Sequence, residues 1–393
     1  MLFSAEARLA HCASISDLRS LAQRRLPRPL FDFVDGGAGG ETTLRANEQA
    51  FAADALAPRY AIDVSRRHAA VDILGFRASM PLVLAPVGFA GLLWPGGEAA
   101  AARVAAEAGL PYCLSTNSNA SLEQISVATG DSERWFQLYF LKDREWMRSL
   151  VQRAAQSGYR TLCVTIDLPI AGRRARDLRN GFTIPVRPTL ANALHFATRL
   201  GWLRGAMSEP MRIGNFEGAS RAAGFVSIAQ HVAGLFDPSA SWDDVARLRD
   251  LWPGPLVVKG VLHPADAVRA LEIGADAIVV SNHGGRQLED APATLRALPV
   301  VAAAVGGRKP IFVDGGVRRG VDIVKALALG ASACLIGRAY AYGLGAAGGP
   351  GVAKALAILA AEFDSALALI GVNSPGELNS SHLWRDTPSE RSA

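Results

Sequence analysis

Lysine, cysteine and long apolar runs are all scarce in this sequence of 393 residues. The four cysteines are far apart and form no CxxC pair, which excludes a disulfide scaffold. Three of them lie in apolar runs, so we expect buried free thiols in a reducing cytoplasm. No run of 18 uncharged apolar residues occurs and the charged N-terminus has no apolar core, so neither a transmembrane helix nor a signal peptide is expected.

The positive charge of the sequence is carried almost entirely by arginine. Only five of the 41 basic residues are lysine, and the formal net charge is +5. Arginine pairs are scattered along the chain, but there is no long basic stripe and no nucleic-acid-binding motif. The pattern argues against a nucleic-acid partner and favours small anionic ligands; no metal site is predicted.

Eight short apolar runs alternate with segments of helical spacing. Continuous apolar runs are typical of strands that are buried on both faces of a parallel sheet. Eight strand–helix units predict an α/β fold, a (β/α)8 TIM barrel, within a single domain over 1–393. We expect an N-terminal helical segment at 1–80 and the barrel at 81–370. The runs are 81–86, 111–116, 134–139, 161–167, 255–260, 277–282, 310–316 and 333–338.

Nearly every one of these runs ends in a polar or reactive side chain. The active site of such a barrel is built at the carboxyl ends of its strands. A single polar strand end carries little information, but a succession of them is hard to obtain from packing alone. The residues concerned are Ser115, Gln137, Tyr139, Thr165, Asp167, Lys259, Ser281, His283, Asp314 and Arg338.

The connection after the fourth run is abnormally long, with about 90 residues between Asp167 and Pro255. We expect a long loop at 171–240, and loops of that size are usually functional. Within it, 189–212 mixes apolar residues with His195, Arg199 and Arg204, a pattern typical of an amphipathic segment that lies in a membrane surface. A helix that covers the barrel, or a contact between subunits, is the alternative.

Two Gly–Arg elements follow the last two runs and predict a phosphate site. Asp314-Gly-Gly-Val-Arg-Arg-Gly320 follows the seventh run and Gly337-Arg338 the eighth, where this fold commonly binds phosphate. Gly315 and Gly316 allow close approach of backbone N–H groups, and Arg318 and Arg338 add paired donors. A phosphate-binding isomerase or aldolase would share this site. Residues 343–348 also fit G-x-G-x-x-G, but no strand precedes them, so we reject a dinucleotide site there.

The segment Ser281-Asn-His-Gly-Gly-Arg-Gln287 places a histidine just beyond a buried strand, two glycines before an arginine. Histidine can act as a base near neutral pH, and arginine can hold a carboxylate through two hydrogen bonds. A histidine that only caps a turn is the alternative.

SNHGGRQL, followed by VDGGVRRG, KALALGA and LIGR and preceded by WFQLY and TIDLP, resembles the FMN-dependent α-hydroxy acid dehydrogenase and oxidase family. The resemblance runs from about Leu26 to Leu383. It is strongest to the members that oxidise (S)-mandelate and to the bacterial membrane L-lactate dehydrogenases. It implies bound FMN, and a homotetramer or larger assembly.

The resemblance also implies a role for each site residue. His283 corresponds to the base that removes either the hydroxyl proton or the α-proton, and Asp167 to the acid that orients it. Arg174 and Arg286 correspond to the arginines that bind the substrate carboxylate, and Tyr139 to a tyrosine that contacts either the carboxylate or the hydroxyl. Lys259 corresponds to the lysine beside the flavin ring. The remaining FMN positions are Pro86, Val87, Gly88, Ser115, Gln137, Thr165, Ser281, Asp314, Gly315, Gly316, Arg318, Gly337 and Arg338.

Four positions of the predicted substrate pocket bear on which acid fits. Phe33 stands where the family has a tyrosine that helps to hold the carboxylate, so we expect weaker carboxylate binding or a substrate whose other end contributes more. Asn117 and Ala171 are smaller than the residues of glycolate oxidase and open the pocket. Gly88 is alanine in most of the oxidases, which favours a dehydrogenase.

The sequence thus predicts oxidation of an (S)-2-hydroxy acid, mandelate-like or L-lactate, to the 2-oxo acid. Electrons would pass to a membrane quinone-type acceptor, from a cytoplasmic protein attached to the inner face of the cell membrane. An oxidase that uses oxygen and releases hydrogen peroxide is the alternative within the family.

Overall fold

The structure, a computed structural model, describes residues 5–181, 193–208, 213–216 and 234–384. Its centre is a closed barrel of eight parallel strands, which confirms the predicted TIM barrel. These strands lie inside the eight predicted runs or end within one residue of them. They are β3 (Leu82–Leu84), β4 (Tyr112–Ser115), β5 (Arg134–Tyr139), β6 (Thr161–Thr165), β7 (Leu256–Val261), β8 (Ala277–Val280), β9 (Ile311–Val313) and β10 (Ala333–Ile336). Each strand pairs with the next along the chain, and β10 closes the barrel on β3.

The barrel strands form because their side chains are apolar on both faces. Every residue of β4, β5 and β6 is buried, the inner residues filling the barrel and the outer ones packing against helices. The helices of the barrel are α5 (Gly97–Glu107), α6 (Leu122–Thr129), α7 (Arg144–Gln156), α11 (Trp242–Leu251), α12 (Pro264–Glu272), α13 (Thr294–Val305), α14 (Gly320–Ala328), α15 (Arg338–Ala347) and α16 (Gly349–Ile370).

The N-terminal segment is mainly helical, as predicted, with α1 (Ala5–Ala10), α2 (Ile15–Arg25), α3 (Arg28–Asp35) and α4 (Thr42–Ala53). The antiparallel hairpin β1 (Val71–Ile73) and β2 (Phe76–Ala78) was not predicted, because each strand is only three residues long. The rejected glycine motif at 343–348 lies in α15 and its C-cap, so rejecting it was correct.

The insertion after β6 carries α8 (Ala175–Arg179), α9 (Ala193–Ala197) and α10 (Leu200–Ser208), and a 3-10 turn at Gly214–Phe216. The expected amphipathic segment at 189–212 falls partly outside the described residues. Its described part has two faces, since Phe196 is buried while Leu194, Leu200 and Met207 are exposed. No helix in the described ranges is long and apolar enough to cross a membrane. All four cysteines are free and buried, as predicted.

Asp35 ties the N-terminal segment to the insertion and to α15. Its carboxylate accepts hydrogen bonds from Arg19 Nε at 2.6 Å, Arg176 Nη1 at 2.8 Å and the Tyr342 hydroxyl at 2.8 Å. Burial alone would raise the pKa of Asp35, but the hydrogen bonds from these donors outweigh it and hold the pKa at about 2. The carboxylate therefore stays ionised wherever the protein is folded near neutral pH.

Replacing Asp35 by asparagine is expected to lower the free energy of unfolding at pH 7 by about 2–3 kcal/mol. The unfolded carboxyl holds its proton up to about pH 4, whereas the native one releases it already near pH 2. The stabilisation is therefore complete above pH 4 and is lost as pH falls from 4 to 2. Urea titrations of both proteins at several pH values test this, with exposed Asp131→Asn as control. A difference that is independent of pH would contradict it.

Candidate active site

A cavity of about 740 Å³ opens at the carboxyl ends of the barrel strands. Its walls contain most of the residues that the sequence singled out. Those on the wall are Phe33, Pro86, Val87, Gly88, Ser115, Tyr139, Thr165, Arg174, Lys259, His283, Arg286, Asp314, Gly315, Gly316, Arg318, Gly337 and Arg338. Asn117 and Ala171 line it as well.

Three predicted residues lie behind the wall and hold residues that line it. Gln137 Oε1 accepts a hydrogen bond from Ser115 Oγ at 3.2 Å. Ser281 Oγ accepts from Lys259 Nζ at 2.8 Å and from the His283 backbone N–H at 3.0 Å. The Asp167 carboxylate likewise holds His283, through a hydrogen bond with the imidazole ring.

His283 and Asp167 form a hydrogen-bonded pair at the site. His283 Nδ1 lies 2.9 Å from Asp167 Oδ1, although the two residues are 116 positions apart in sequence. Burial would raise the pKa of Asp167, but attraction and hydrogen bonding to His283, with Lys259 nearby, lower it overall. An ionised carboxylate only accepts hydrogen bonds, so Nδ1 is the donor of this bond, and Nε2 is the ring nitrogen left for a ligand in the cavity.

The backbone at His283 has an unusual conformation that aims this ring. His283, Gly284 and Gly285 have φ values of 58°, 63° and 73°, three consecutive residues in the left-handed region. A side chain at Gly285 would place Cβ 2.6 Å from the Leu44 backbone nitrogen, so the turn requires glycine there. The left-handed conformation of His283 is unfavourable in itself and must be offset by stabilising contacts elsewhere. Such strain is typical of functional sites.

Lys259 is a buried cation at the base of the cavity. Its ammonium lies 2.9 Å from Asp314 Oδ2. Burial would lower the pKa of Lys259, but attraction to Asp314 and Asp167 raises it overall, so the lysine remains charged. The cavity floor thus presents a fixed positive charge to any bound group.

Three of the arginines that line the cavity, Arg174, Arg286 and Arg338, lie near enough to one another to interact electrostatically. Burial, followed by repulsion from Arg174 and Arg338, lowers the pKa of Arg286 well below its usual value. Arg174 is partly compensated, since its Nε donates to Asp177 Oδ2 at 2.6 Å. Cations held so close together favour an anion between them, as a carboxylate ligand would supply.

The ring of Phe33 contacts two of these arginines, Arg174 and Arg286. The guanidinium carbons of Arg286 and Arg174 lie 5.2 and 5.7 Å from the centre of its ring, within range of a cation–π interaction. Arg286 Nη1 also donates to the Phe33 carbonyl at 2.7 Å. The ring therefore holds both guanidinium groups in place, although it offers no hydroxyl donor.

Arg318 and Arg338, the predicted phosphate arginines, line the cavity, but both also bond to other parts of the protein. Arg338 donates to the carbonyls of Val34, Gly284 and Gly36 at 2.7–2.9 Å, three of its five N–H groups. Arg318 pairs with Glu48 at 2.9 Å. Arg338 therefore also joins α3 to the turn that bears His283.

Sequence reasoning missed several supporting residues. Asn47 and Asn282 exchange two amide hydrogen bonds, at 2.8 and 2.9 Å, and so join α4 to the histidine turn. Asn215, in the insertion, is fully buried beside the segment that follows β4. No local motif marks these asparagines, since their partners are about 100 or more residues away in sequence.

Fold and site define a barrel enzyme with a histidine–aspartate pair and a cavity lined by several arginines. A family model described as FMN-dependent dehydrogenase matches residues 22–385. An L-lactate dehydrogenase of Caulobacter vibrioides (strain NA1000 / CB15N) is 45% identical over 380 residues, which cover 96% of this chain and 98% of the relative. The chain therefore belongs to the FMN-dependent dehydrogenase family, and FMN is its cofactor, as predicted.

Solved structures agree with this assignment. The crystal structure of the monotopic membrane protein (S)-mandelate dehydrogenase is 40% identical, with a TM-score of 0.91, over 95% of this chain and 99% of that one. A mandelate oxidase structure is 39% identical, with a TM-score of 0.82, over 95% of this chain and 98% of that one. The alternative of an isomerase or aldolase has no support among these comparisons.

The residues of the cavity fit FMN. Among the buried side-chain polar atoms that have no hydrogen-bond partner within the described ranges, three belong to predicted FMN positions, namely Gln137 Nε2, Thr165 Oγ1 and Asp314 Oδ1. Thr165 and Asp314 line the cavity, and Gln137 adjoins Ser115 on its wall. Buried polar atoms without partners are rare in native proteins, and the polar ring and ribityl chain of FMN supply both donors and acceptors.

Proposed function

We propose that this protein is an FMN-dependent (S)-2-hydroxy acid dehydrogenase that converts its substrate to the 2-oxo acid. The observation that carries the proposal is the placement of His283 Nε2 on the wall of a cavity that it shares with Arg174 and Arg286. A base beside two carboxylate-binding cations matches a molecule with a hydroxyl group next to a carboxylate.

FMN, when bound, supplies the acceptor for the electron pair that leaves the substrate C2–H bond. Lys259, Ser115, Thr165 and Gln137 would hold its ring, with backbone at 86–88 and Ser281 supporting them. Asp314, Arg318, Gly316, Gly337 and Arg338, with Gly315, would hold the ribityl chain and phosphate. Lys259, as a fixed cation, favours added negative charge on the ring beside it.

The proton chemistry falls to His283. Nε2 accepts the proton that the substrate releases, and the Asp167 carboxylate stabilises the resulting imidazolium through Nδ1. The Tyr139 hydroxyl lies 3.4 Å from Nε2, and burial, the largest influence, raises the pKa of Tyr139, so it remains a protonated donor toward substrate oxygen. Arg174 and Arg286 hold the carboxylate and thereby fix the hydroxyl-bearing carbon beside Nε2.

We propose an aryl-substituted acid such as mandelate as the first substrate and L-lactate as the second. Support comes from the apolar side of the cavity, which contains Phe33, Phe89, Phe236, Leu168 and Ala171. Aromatic and aliphatic walls of this kind stabilise a phenyl group more than a methyl group, because they remove more apolar surface from water. The relatives carry both names, L-lactate dehydrogenase and mandelate dehydrogenase or oxidase.

Anaerobic mixing of the FMN-loaded protein with a panel of 2-hydroxy acids tests the function. We expect loss of flavin absorbance near ~450 nm with the (S)-acids, and not with the (R)-acids. Oxygen is then admitted to the reduced protein, and slow reoxidation is expected for a dehydrogenase. Absence of bleaching with every acid would contradict the proposal, and rapid reoxidation with release of hydrogen peroxide would favour the oxidase alternative.

The proposal includes a membrane quinone-type acceptor and peripheral attachment at the cytoplasmic face. Support comes from the described part of the insertion, where Leu194, Leu200 and Met207 are 72%, 65% and 84% exposed. Exposed apolar residues on short helices that also carry arginine are typical of interfacial segments. From the family resemblance we also propose a homotetramer. Light scattering of the purified protein, which gives the mass of the assembly, tests this.

Replacing Leu194, Leu200 and Met207 together by serine is expected to weaken binding to anionic lipid vesicles at least about ten-fold. Each replacement reduces the apolar surface that the protein buries in the lipid. Vesicle flotation measures this. A matched triple variant carries serine at Val127, Val300 and Leu369, which are exposed on other helices. Equal binding of both triple variants would contradict a membrane role for α9 and α10.

A further inference from the structure

The insertion after β6 reaches the wall of the catalytic cavity at two separate places. One contact is made by Gly214–Phe216 and the other by α9 and α10. Neither contact involves the exposed apolar face of these helices.

Asn215 makes the first contact and is fully buried. Its Nδ2 lies 3.4 Å from the Ser115 carbonyl, 3.3 Å from the Thr116 carbonyl and 3.2 Å from Ser118 Oγ. Its Oδ1 accepts from the Leu122 backbone N–H at 3.0 Å. One side chain from the insertion therefore bonds four residues of the stretch that runs from the end of β4 to the start of α6.

Gly214, which precedes Asn215, allows the chain to approach the stretch before α6 this closely. A Cβ at Gly214 would lie 2.3 Å from the Ser121 backbone nitrogen, so no larger residue fits without movement of backbone. The Gly214 N–H also donates to the Ser118 carbonyl at 3.1 Å. The insertion is thus bonded through both backbone and side chain to the segment at 115–118.

That segment forms the wall of the cavity beside Gly88. Ser115 and Asn117 both line the cavity, and the Asn117 carbonyl accepts the Phe89 N–H at 2.8 Å. A Cβ at Gly88 would lie only 3.3 Å from the same carbonyl. A small displacement of the segment would therefore change the width of the FMN side of the cavity.

Phe196 makes the second contact. It packs into a small apolar cluster with Leu30, Phe89 and Leu92, and Phe33 packs against that cluster. Trp202 lies 5.4 Å from the Phe196 ring, and its Nε1 donates to the Leu92 carbonyl at 2.8 Å.

The cluster connects the insertion to the arginines of the site. The rings of Phe33 and Phe89 are 6.4 Å apart, and both residues line the cavity. Since Arg174 and Arg286 lie over the Phe33 ring, the position of that ring affects both guanidinium groups.

We propose that the insertion positions two walls of the catalytic cavity, Asn215 the FMN wall and Phe196 the wall that binds the substrate carboxylate. Both are positioning residues, because they act through 115–118 and through Phe33. The part that concerns Phe196 rests on the proposed oxidation of a 2-hydroxy acid.

Asn215→Asp tests the first wall. The substitution keeps the shape and the bond to the Leu122 N–H but turns the amide donor into an acceptor facing two carbonyl oxygens. We expect the dissociation constant of FMN, from titration of the apoprotein by flavin fluorescence, to rise about ten-fold or more. Asn379→Asp, the same change at an exposed turn near the C-terminus, should leave it unchanged. If Asn215→Asp does not fold, Ser118→Ala removes one of its hydrogen bonds and should raise the constant about three-fold.

Phe196→Ala tests the second wall. We expect KM for the hydroxy acid to rise about ten-fold, with kcat and the dissociation constant of FMN each within about two-fold of wild type. Phe196→Leu should restore most of the wild-type KM, and exposed Thr198→Ala is the control on the same stretch. If Phe196→Ala does not fold, Phe196→Leu is compared with Thr198→Ala instead, and a KM at least two-fold higher is expected.

The outcomes separate the two proposals. If the wild-type flavin is bleached by hydroxy acids, yet Asn215→Asp binds FMN and Phe196→Ala binds substrate as wild type does, the positioning role is overturned and the proposed reaction stands. If no hydroxy acid bleaches the wild type, the reaction is wrong, and the FMN titrations still decide the role of Asn215.

Discussion

Replacement of His283 by asparagine is expected to lower kcat by about 10²–10⁴-fold, the range usual for loss of a general base, while FMN stays bound. Asparagine is the suitable choice because φ at this position is 58°, and asparagine tolerates the left-handed region better than most residues. Its amide leaves no basic group on the cavity wall, so the proton released by the substrate has no acceptor of suitable pKa.

The rate of anaerobic flavin bleaching under saturating substrate measures this effect directly. His263→Asn is the matched control, because His263 caps the N-terminus of α12, where asparagine is a favoured residue. A decrease of less than ten-fold in His283→Asn, with the control unchanged, would show that another group takes the proton.

Replacement of Arg286 by lysine is expected to reduce kcat/KM by about 10²–10³-fold, mainly through a higher KM. Breaking a buried, hydrogen-bonded charge pair costs about 2–5 kcal/mol, and a lysine is expected to recover only part of that. Lysine retains the charge but not the planar pair of donors that matches a carboxylate. It also loses the hydrogen bonds to the Phe33 and Gly36 carbonyls and the contact with the Phe33 ring.

Steady-state kinetics with an artificial electron acceptor give the two constants separately. Arg296→Lys, in the surface pair with Asp54, provides a control in which the same substitution should have little effect. A KM for Arg286→Lys within three-fold of wild type would place the carboxylate elsewhere in the cavity.

The barrel and the strand-end residues were predictable because their signals are local. A parallel strand buried on both faces must be apolar along its whole length, so β4, β5 and β6 are visible in the sequence as runs. The polar residues at the ends of such runs line the cavity or, like Gln137 and Ser281, hold a residue that lines it. His283 and Lys259 could therefore be assigned to one site before any contact between them was known.

The supporting contacts of the site could not be predicted in this way. Asn47 and Asn282 are 235 residues apart, and Asn215 is about 100 residues from the segment that it holds. A lone asparagine has no pattern that identifies its partner, because the pairing is set by tertiary packing. The same reason explains why the three carbonyl partners of Arg338 were not foreseen.

The burial of all four cysteines has a practical consequence for spectroscopy. Thiol reagents attack the thiolate, and burial raises the pKa of Cys12, Cys113 and Cys334, so the native thiols react slowly. A cysteine introduced at exposed Met207 would then be the one rapidly labelled position, without prior removal of the natural ones. A spin label or fluorophore there would test whether the insertion enters a lipid bilayer, and how deeply, while the enzyme remains otherwise unaltered.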